Sequence, residues 1–149
     1  MSYFEDKKEG NKVEQEFANI LIKRYNLQEK DIEFCKNGDY DILIISTRET
    51  YEIKYDRYSI KSKNIAIEYS CRNKESGIRI TKAFYWVQKV DGEFYVIKTD
   101  ELKCRIQSGN YHTVSGGDPG SDTRMYLIPK DEFKSWEEVN KIEGGCDNE

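Results

Sequence analysis

The stretch Gly38–Asp56, GDYDILIISTRETYEIKYD, decides how this chain is read. Tyr40 to Ile45 is an apolar run with a carboxylate, Asp41, at its mouth, and Thr50 to Asp56 alternates with period two. Strand side chains point alternately to the two faces, so Tyr51, Ile53 and Tyr55 share one face while Glu52 and Lys54 share the other. The intervening Ser46–Glu49 is short enough for a hairpin-type connection. A hairpin brings Asp41 beside Glu52 and Lys54, so two carboxylates and an ammonium converge at one spot. Taken alone, an acid-x-lysine triplet on an amphipathic strand is more often a solvated edge than a site. Asp41 at the head of an apolar strand, the hairpin spacing and a third carboxylate upstream weigh the other way.

That third carboxylate is Glu14. A helix from Asn11 to about Tyr25 is signalled by Val13, Phe17, Ile20 and Leu21. At about 100° per residue, Glu14 falls inside the stripe of Val13, Phe17, Ala18, Ile20, Leu21 and Tyr25, whereas Glu16 falls on the far side. A carboxylate within a core-facing stripe is costly unless paired. Its partner is either a buried tyrosine or cation that it serves structurally, or the Asp41–Glu52–Lys54 site. Converging carboxylates suit a hard divalent cation, which takes oxygen ligands and keeps several waters. An adjacent lysine would orient a nucleophile or meet developing negative charge.

Asp41 followed by Glu52-Ile53-Lys54 resembles the signature of the PD-(D/E)XK nuclease superfamily, which includes restriction endonucleases and archaeal-type Holliday-junction resolvases. Tyr40 stands where that signature often has proline. Gly10 followed by Glu14 resembles the first-helix glutamate of the resolvases. The resemblance covers roughly Gly10 to Lys98 and implies a restriction-endonuclease-like αβββαβ core of the α/β (α+β) class. Such a core is a central mixed sheet flanked by helices, here with a C-terminal strand–helix extension. The resemblance further implies a Mg2+- or Mn2+-dependent deoxyribonuclease acting on branched or otherwise structured DNA, with a homodimer suspected by analogy. Asp41, Glu52 and the carbonyl of Ile53 would hold the metal. Lys54 would position the attacking water or meet the phosphorane charge, and Glu14 would complete the acidic cluster or bind a second ion.

Elsewhere the sequence places Asp31–Lys36 as a short strand, with Asn37-Gly38 as a tight turn. Asp39 shares strand parity with Asp41 and is read as serving the turn or standing behind the ligands. Asn64–Ser70 reads as a third central strand. Its Glu68 fits equally well an exposed charge, a group behind the ligands, or a further metal- or DNA-proximal carboxylate. A basic loop, Cys71–Glu75, precedes a helix expected over Arg79–Lys89. Arg72, Lys74, Arg79 and Lys82 are candidates for phosphate contact, and Ala83, Phe84, Trp86 and Val87 are read as that helix's core. Asp91-Gly92 is a turn into a strand at Glu93–Lys98, and Thr99 caps a helix from Asp100 to about Gln107. Ser108–Arg124 is a glycine-rich loop, read either as a substrate-contacting lid or as a hairpin tip. Gly116-Gly117-Asp118 lacks the lysine and helix context of a phosphate loop. A strand at Met125–Ile128 and a helix at Lys130–Ile142 complete the chain.

Composition narrows the class. A chain of 149 residues fits one domain, 1–149, with 1–9 and 143–149 expected as flexible tails. No run has the length of a membrane span and no signal-peptide pattern opens the chain. Cys35, Cys71, Cys104 and Cys146 form no CxxC pair, which speaks against a zinc cluster or disulfide framework and for reduced thiols in a cytoplasmic protein. The lone His112 excludes His-rich metal chemistry. A net charge of −4 is unlike the basic footprint of most nucleic-acid binders, yet Lys54–Lys89 holds nine Lys or Arg against three acids. Two rival readings follow: a non-catalytic nucleic-acid-binding or assembly protein on a nuclease-like fold, and an unrelated α+β interaction module whose acids are merely solvated.

Overall fold

The computed structural model describes residues 3–35, 37–55, 63–116, 119–133 and 136–138. Asp56, Gly117, Asp118 and the distal part of the last predicted helix with its tail lie outside them. The elements are α1 (Tyr3–Tyr25), β1 (Ile32–Phe34), β2 (Ile42–Ile44), β3 (Glu49–Tyr55), β4 (Asn64–Cys71), β5 (Lys74–Glu75), β6 (Tyr85–Val90), β7 (Glu93–Lys98), α2 (Thr99–Ser108), β8 (Thr113–Gly116), β9 (Thr123–Pro129), α3 (Lys130–Phe133) and β10 (Glu137–Glu138). The class is mixed α/β. Among the described residues no helix is long and apolar enough to cross a membrane.

The strands form two sheets, a six-stranded one in the order β1-β2-β3-β6-β7-β10 and a four-stranded one in the order β5-β4-β9-β8. Every pairing is antiparallel except β3 with β6, so the first sheet is mixed. Val13, Phe17, Ala18 and Leu21 of α1 pack on one face of the first sheet, against Ile42, Ile44, Tyr51, Ile53, Val87, Phe94 and Val96. On the opposite face Trp86, Val90 and Ile97 share a second core with Ile65, Ile67 and Ile128 of the second sheet, Leu102 of α2, and Phe133 and Trp136. Helix, sheet and sheet thus stack as three layers around two cores.

The hairpin that opened the reading is present. Ile42 faces Tyr51 and Ile44 faces Glu49, with Arg48 in a left-handed conformation (φ 66°) closing the turn. Asp91 and Gly92 both take positive φ (52° and 86°), the requirement of a two-residue type I′ turn, and join β6 to β7. Asn26, at φ 53°, ends α1 as Leu27 N–H bonds back to the Ile22 carbonyl at 2.9 Å.

Several expectations need correction. The helix expected over Arg79–Lys89 is absent: residues 77–79 form one 3-10 turn, and Tyr85–Val90 is the strand β6. Ala83, Trp86, Val87 and Val90 recur at helical spacing, and all four are buried. Trp86, Val87 and Val90 are buried because β6 lies between β3 and β7 with both faces covered, and such a strand loses the period-two signature. Phe84, read as core, is 51% exposed. The third central strand is displaced: β4 belongs to the second sheet, so the parallel crossover from β3 to β6 runs through that sheet instead of through a helix.

Residues 1–9 are expected as a flexible tail, yet α1 extends back to Tyr3, where unbranched charged residues favour helix without an apolar stripe. Tyr25, placed in the stripe, is 50% exposed, and Glu16, placed on the far side, accepts a 2.7 Å bond from Lys89 of β6. Thr99 does not cap α2. Lys98 occupies that position with no side-chain bond, and the Thr99 hydroxyl is buried with no hydrogen-bond partner among the described residues. The glycine-rich loop takes the hairpin form, Thr113–Gly116 pairing with Thr123–Tyr126. Of the last predicted helix, the described α3 covers Lys130–Phe133; Phe133 and Trp136 are both in the core, ring centroids 4.2 Å apart, and Glu137–Glu138 is the strand β10, paired with β7.

Candidate active site

The acidic cluster is built where β2 begins. Asp41 is fixed from three sides: its N–H donates to the Tyr51 carbonyl (2.9 Å), its carbonyl accepts from Cys35 N–H (2.9 Å), and its Oδ2 accepts from Ile53 N–H (2.7 Å). The last bond places the Asp41 carboxylate against the peptide that lies between Glu52 and Lys54. Ile53, proposed from the resemblance as a carbonyl ligand, thus contributes its N–H to Asp41, while its side chain is buried under α1.

Glu52 and Lys54 point to the other face, as their parity requires. The parallel register sets Glu52 beside Trp86 and Lys54 beside Gln88. Glu52 is 14% exposed and Lys54 41%, with Lys54 Nζ 3.2 Å from Glu52 Oε2 and 5.8 Å from the centroid of the Trp86 ring. The second Glu52 oxygen, Oε1, accepts from the hydroxyl of Thr81 at 2.9 Å, and that hydroxyl itself accepts from Ala83 N–H at 3.2 Å. Thr81 therefore fixes the rotamer of Glu52 from outside the hairpin. Nothing local in the sequence marks it, since the parallel pairing of β3 with β6 is what delivers it to a residue 29 positions earlier.

Glu14 joins this group from α1. Burial, the charges of Asp41 and Glu52, and against them the charge of Lys54, push its carboxyl up to about 7. Burial and then the Glu52 charge push Asp41 up to about 6, opposed by the Ile53 N–H and by Lys54. Asp41, Glu52 and Lys54 thus lie near enough to act on the ionisation of Glu14, and Glu52 and Lys54 near enough to act on that of Asp41. Two carboxyls whose protons leave between pH 6 and 7 are raised first by burial and then by neighbouring negative charge, and a cation would favour their charged forms.

The donor set bears on a divalent ion in two ways. Its chemistry, carboxylate oxygens only, suits magnesium or manganese. Among the described residues, however, no three acid, histidine or cysteine side chains are close enough to hold a metal by themselves. The arrangement fits an ion that takes one or two protein carboxylates and fills its remaining positions with water, the usual habit of magnesium.

The remaining candidates divide. Asp39 is close by: Asn37 Oδ1 accepts its N–H (3.0 Å), and its carboxylate lies 3.8 Å from Lys82 Nζ, whose own N–H bonds the Asp39 carbonyl. Lys82 is thereby brought beside the cluster, next to Thr81. Arg72 and Lys74 lie in and after the turn from β4 to β5, on the edge of the second sheet. Arg79 stacks on Tyr69 with its Cζ 4.5 Å from the ring centroid, and donates to the Tyr126 hydroxyl at 3.1 Å. Glu68 sits in β4 opposite Met125 at a bulge, and its charge is not among those acting on Glu14 or Asp41. Comparison with protein-family models, with curated proteins and with solved structures found no match to this chain.

Proposed function

We propose that the protein is a divalent-metal-dependent nuclease of the PD-(D/E)XK kind, hydrolysing phosphodiester bonds in DNA. One observation carries the reading. Asp41 is bonded to the peptide between Glu52 and Lys54, and Glu14 is drawn into the same field of charge. Support also comes from the mixed sheet, in which α1 packs on the β1-β2-β3 meander and β6 adds in parallel to β3.

In this reading Asp41 and Glu52 hold magnesium or manganese, which supplies charge neutralisation at the phosphate and acidifies water. Asp41 is kept in place by the Ile53 N–H, and Glu52 by Thr81. Lys54, 3.2 Å from Glu52, is placed to hold a phosphate oxygen or the attacking water. Glu14, whose proton leaves near pH 7, is the group suited to take a proton from that water.

The test is incubation with branched, flapped, single-stranded and duplex DNA in manganese. Wild type should cleave at least one of these, and Asp41→Ala none. Lys54→Met should lose roughly 100- to 1000-fold in rate while calorimetry still detects manganese binding. A second reading, a nucleic-acid-binding protein without catalysis, is favoured by the engagement of both Glu52 oxygens with Lys54 and Thr81. It predicts DNA binding with no cleavage under any metal, and unaltered DNA affinity in Asp41→Ala.

A further inference from the structure

A groove of about 560 Å³ opens between the 77–79 turn, α2 and β9, lined by Glu75, Ile78, Arg79, Lys103, Ile106, Gln107 and Tyr126. It shares no lining residue with the acidic cluster. We propose that it binds an unpaired single strand of the nucleic-acid substrate as that strand runs on from the cluster. The path of the strand rests on the nuclease reading; the affinity of the groove for an unpaired strand does not.

Charge, shape and position support the assignment. Two cations, Arg79 and Lys103, and one acid, Glu75, line the groove together with Ile78, Ile106 and Tyr126. Cationic rims over apolar and aromatic floors are how unpaired nucleotides are held, phosphates on the former and bases on the latter. Arg79 is held in advance by the Tyr69 ring and the Tyr126 hydroxyl, so little side-chain freedom is lost when it takes a phosphate. Its link to Glu75, 3.9 Å and exposed, is a weak competitor. The volume is that of a small-ligand site, which accommodates a nucleotide or two of a single strand and excludes a duplex. Two residues beyond Arg79 comes Thr81, bonded to Glu52, so the backbone from Arg79 to Thr81 spans at most about 7 Å. Between them Ile80 is 56% exposed, an apolar side chain suited to pack against an unstacked base.

The test uses a short fluorescein-labelled oligothymidylate in EDTA, with a blunt duplex of the same length for comparison, both followed by anisotropy. Wild type should prefer the single strand, with Arg79→Ala and Lys103→Ala each weakening it about five- to tenfold and lowering the slope of log affinity against log salt by about 0.7. Lys103 is exposed on α2, so its variant reports even where Arg79→Ala fails to fold. Equal affinity for strand and duplex, or unchanged affinity in Lys103→Ala and in a folded Arg79→Ala, overturns the assignment. Absence of manganese-dependent cleavage would remove the nuclease reading and leave this measurement standing.

Discussion

Thr81 shows most directly what a single residue does here. Its hydroxyl donates to Glu52 and accepts from Ala83 N–H, so loss of the hydroxyl frees one carboxylate oxygen while leaving the charge count unchanged. Groups that orient a metal ligand from behind typically matter by 10- to 100-fold. Thr81→Val is accordingly expected to lower cleavage and manganese affinity by about tenfold, with Thr81→Ser restoring most of both; equal loss in the two variants would mean the threonine acts only through packing. Asp41, by contrast, was legible from the chain because a carboxylate opening an apolar strand is anomalous anywhere. Glu14 was legible for the same reason, as an acid inside a helical stripe.

At the scale of elements, the 77–79 turn and β6 settle the geometry of the site. Gly77 has φ 52°, and a Cβ there would lie 2.1 Å from the Glu68 carbonyl oxygen. Both the left-handed backbone and the close approach of β4 require glycine. Gly77→Ala should cost at least about 2 kcal/mol in urea unfolding, and because the same turn leads into Thr81 it should also reduce cleavage. A fully active, equally stable variant would show that the turn does not hold the site. The strand β6 explains why this part escaped the sequence. Ala83, Trp86, Val87 and Val90 mimic a helical stripe, and only the covering of both faces, by α1 on one side and the second sheet on the other, makes that spacing compatible with a strand.

For the molecule as a whole, the cluster links stability to pH and, in the proposed reading, to metal. Glu14 and Asp41 hold their protons more tightly folded than unfolded, with values raised to about 7 and about 6 from the ordinary 4.5 and 3.8. Their contribution is therefore fully present below about pH 4 and is lost as pH rises through 6 to 7. Asp41→Asn, which keeps an oxygen for the Ile53 N–H, should stabilise the metal-free protein at pH 8 by about 1–2 kcal/mol after allowance for solvent screening. That corresponds to a rise in Tm of roughly 2–6 °C, with no gain at pH 4. Manganese should raise the Tm of wild type more at pH 8 than at pH 5, and its binding should release protons. A pH-independent effect of manganese in thermal melts would place the ion away from these carboxyls.

By itself the sequence determined the hairpin, the facing of Glu52 and Lys54, the stripe of α1 and the anomalous positions of Glu14 and Asp41. Each is a local matter of side-chain parity, helical turn or the cost of putting charge among apolar groups. The tertiary structure alone decided that β3 pairs with β6, that the crossover passes through a second sheet, that Thr81 reaches Glu52 and that Lys82 reaches Asp39. Those outcomes depend on which surfaces bury each other across long separations, and a strand covered on both faces carries no local sign of its partners.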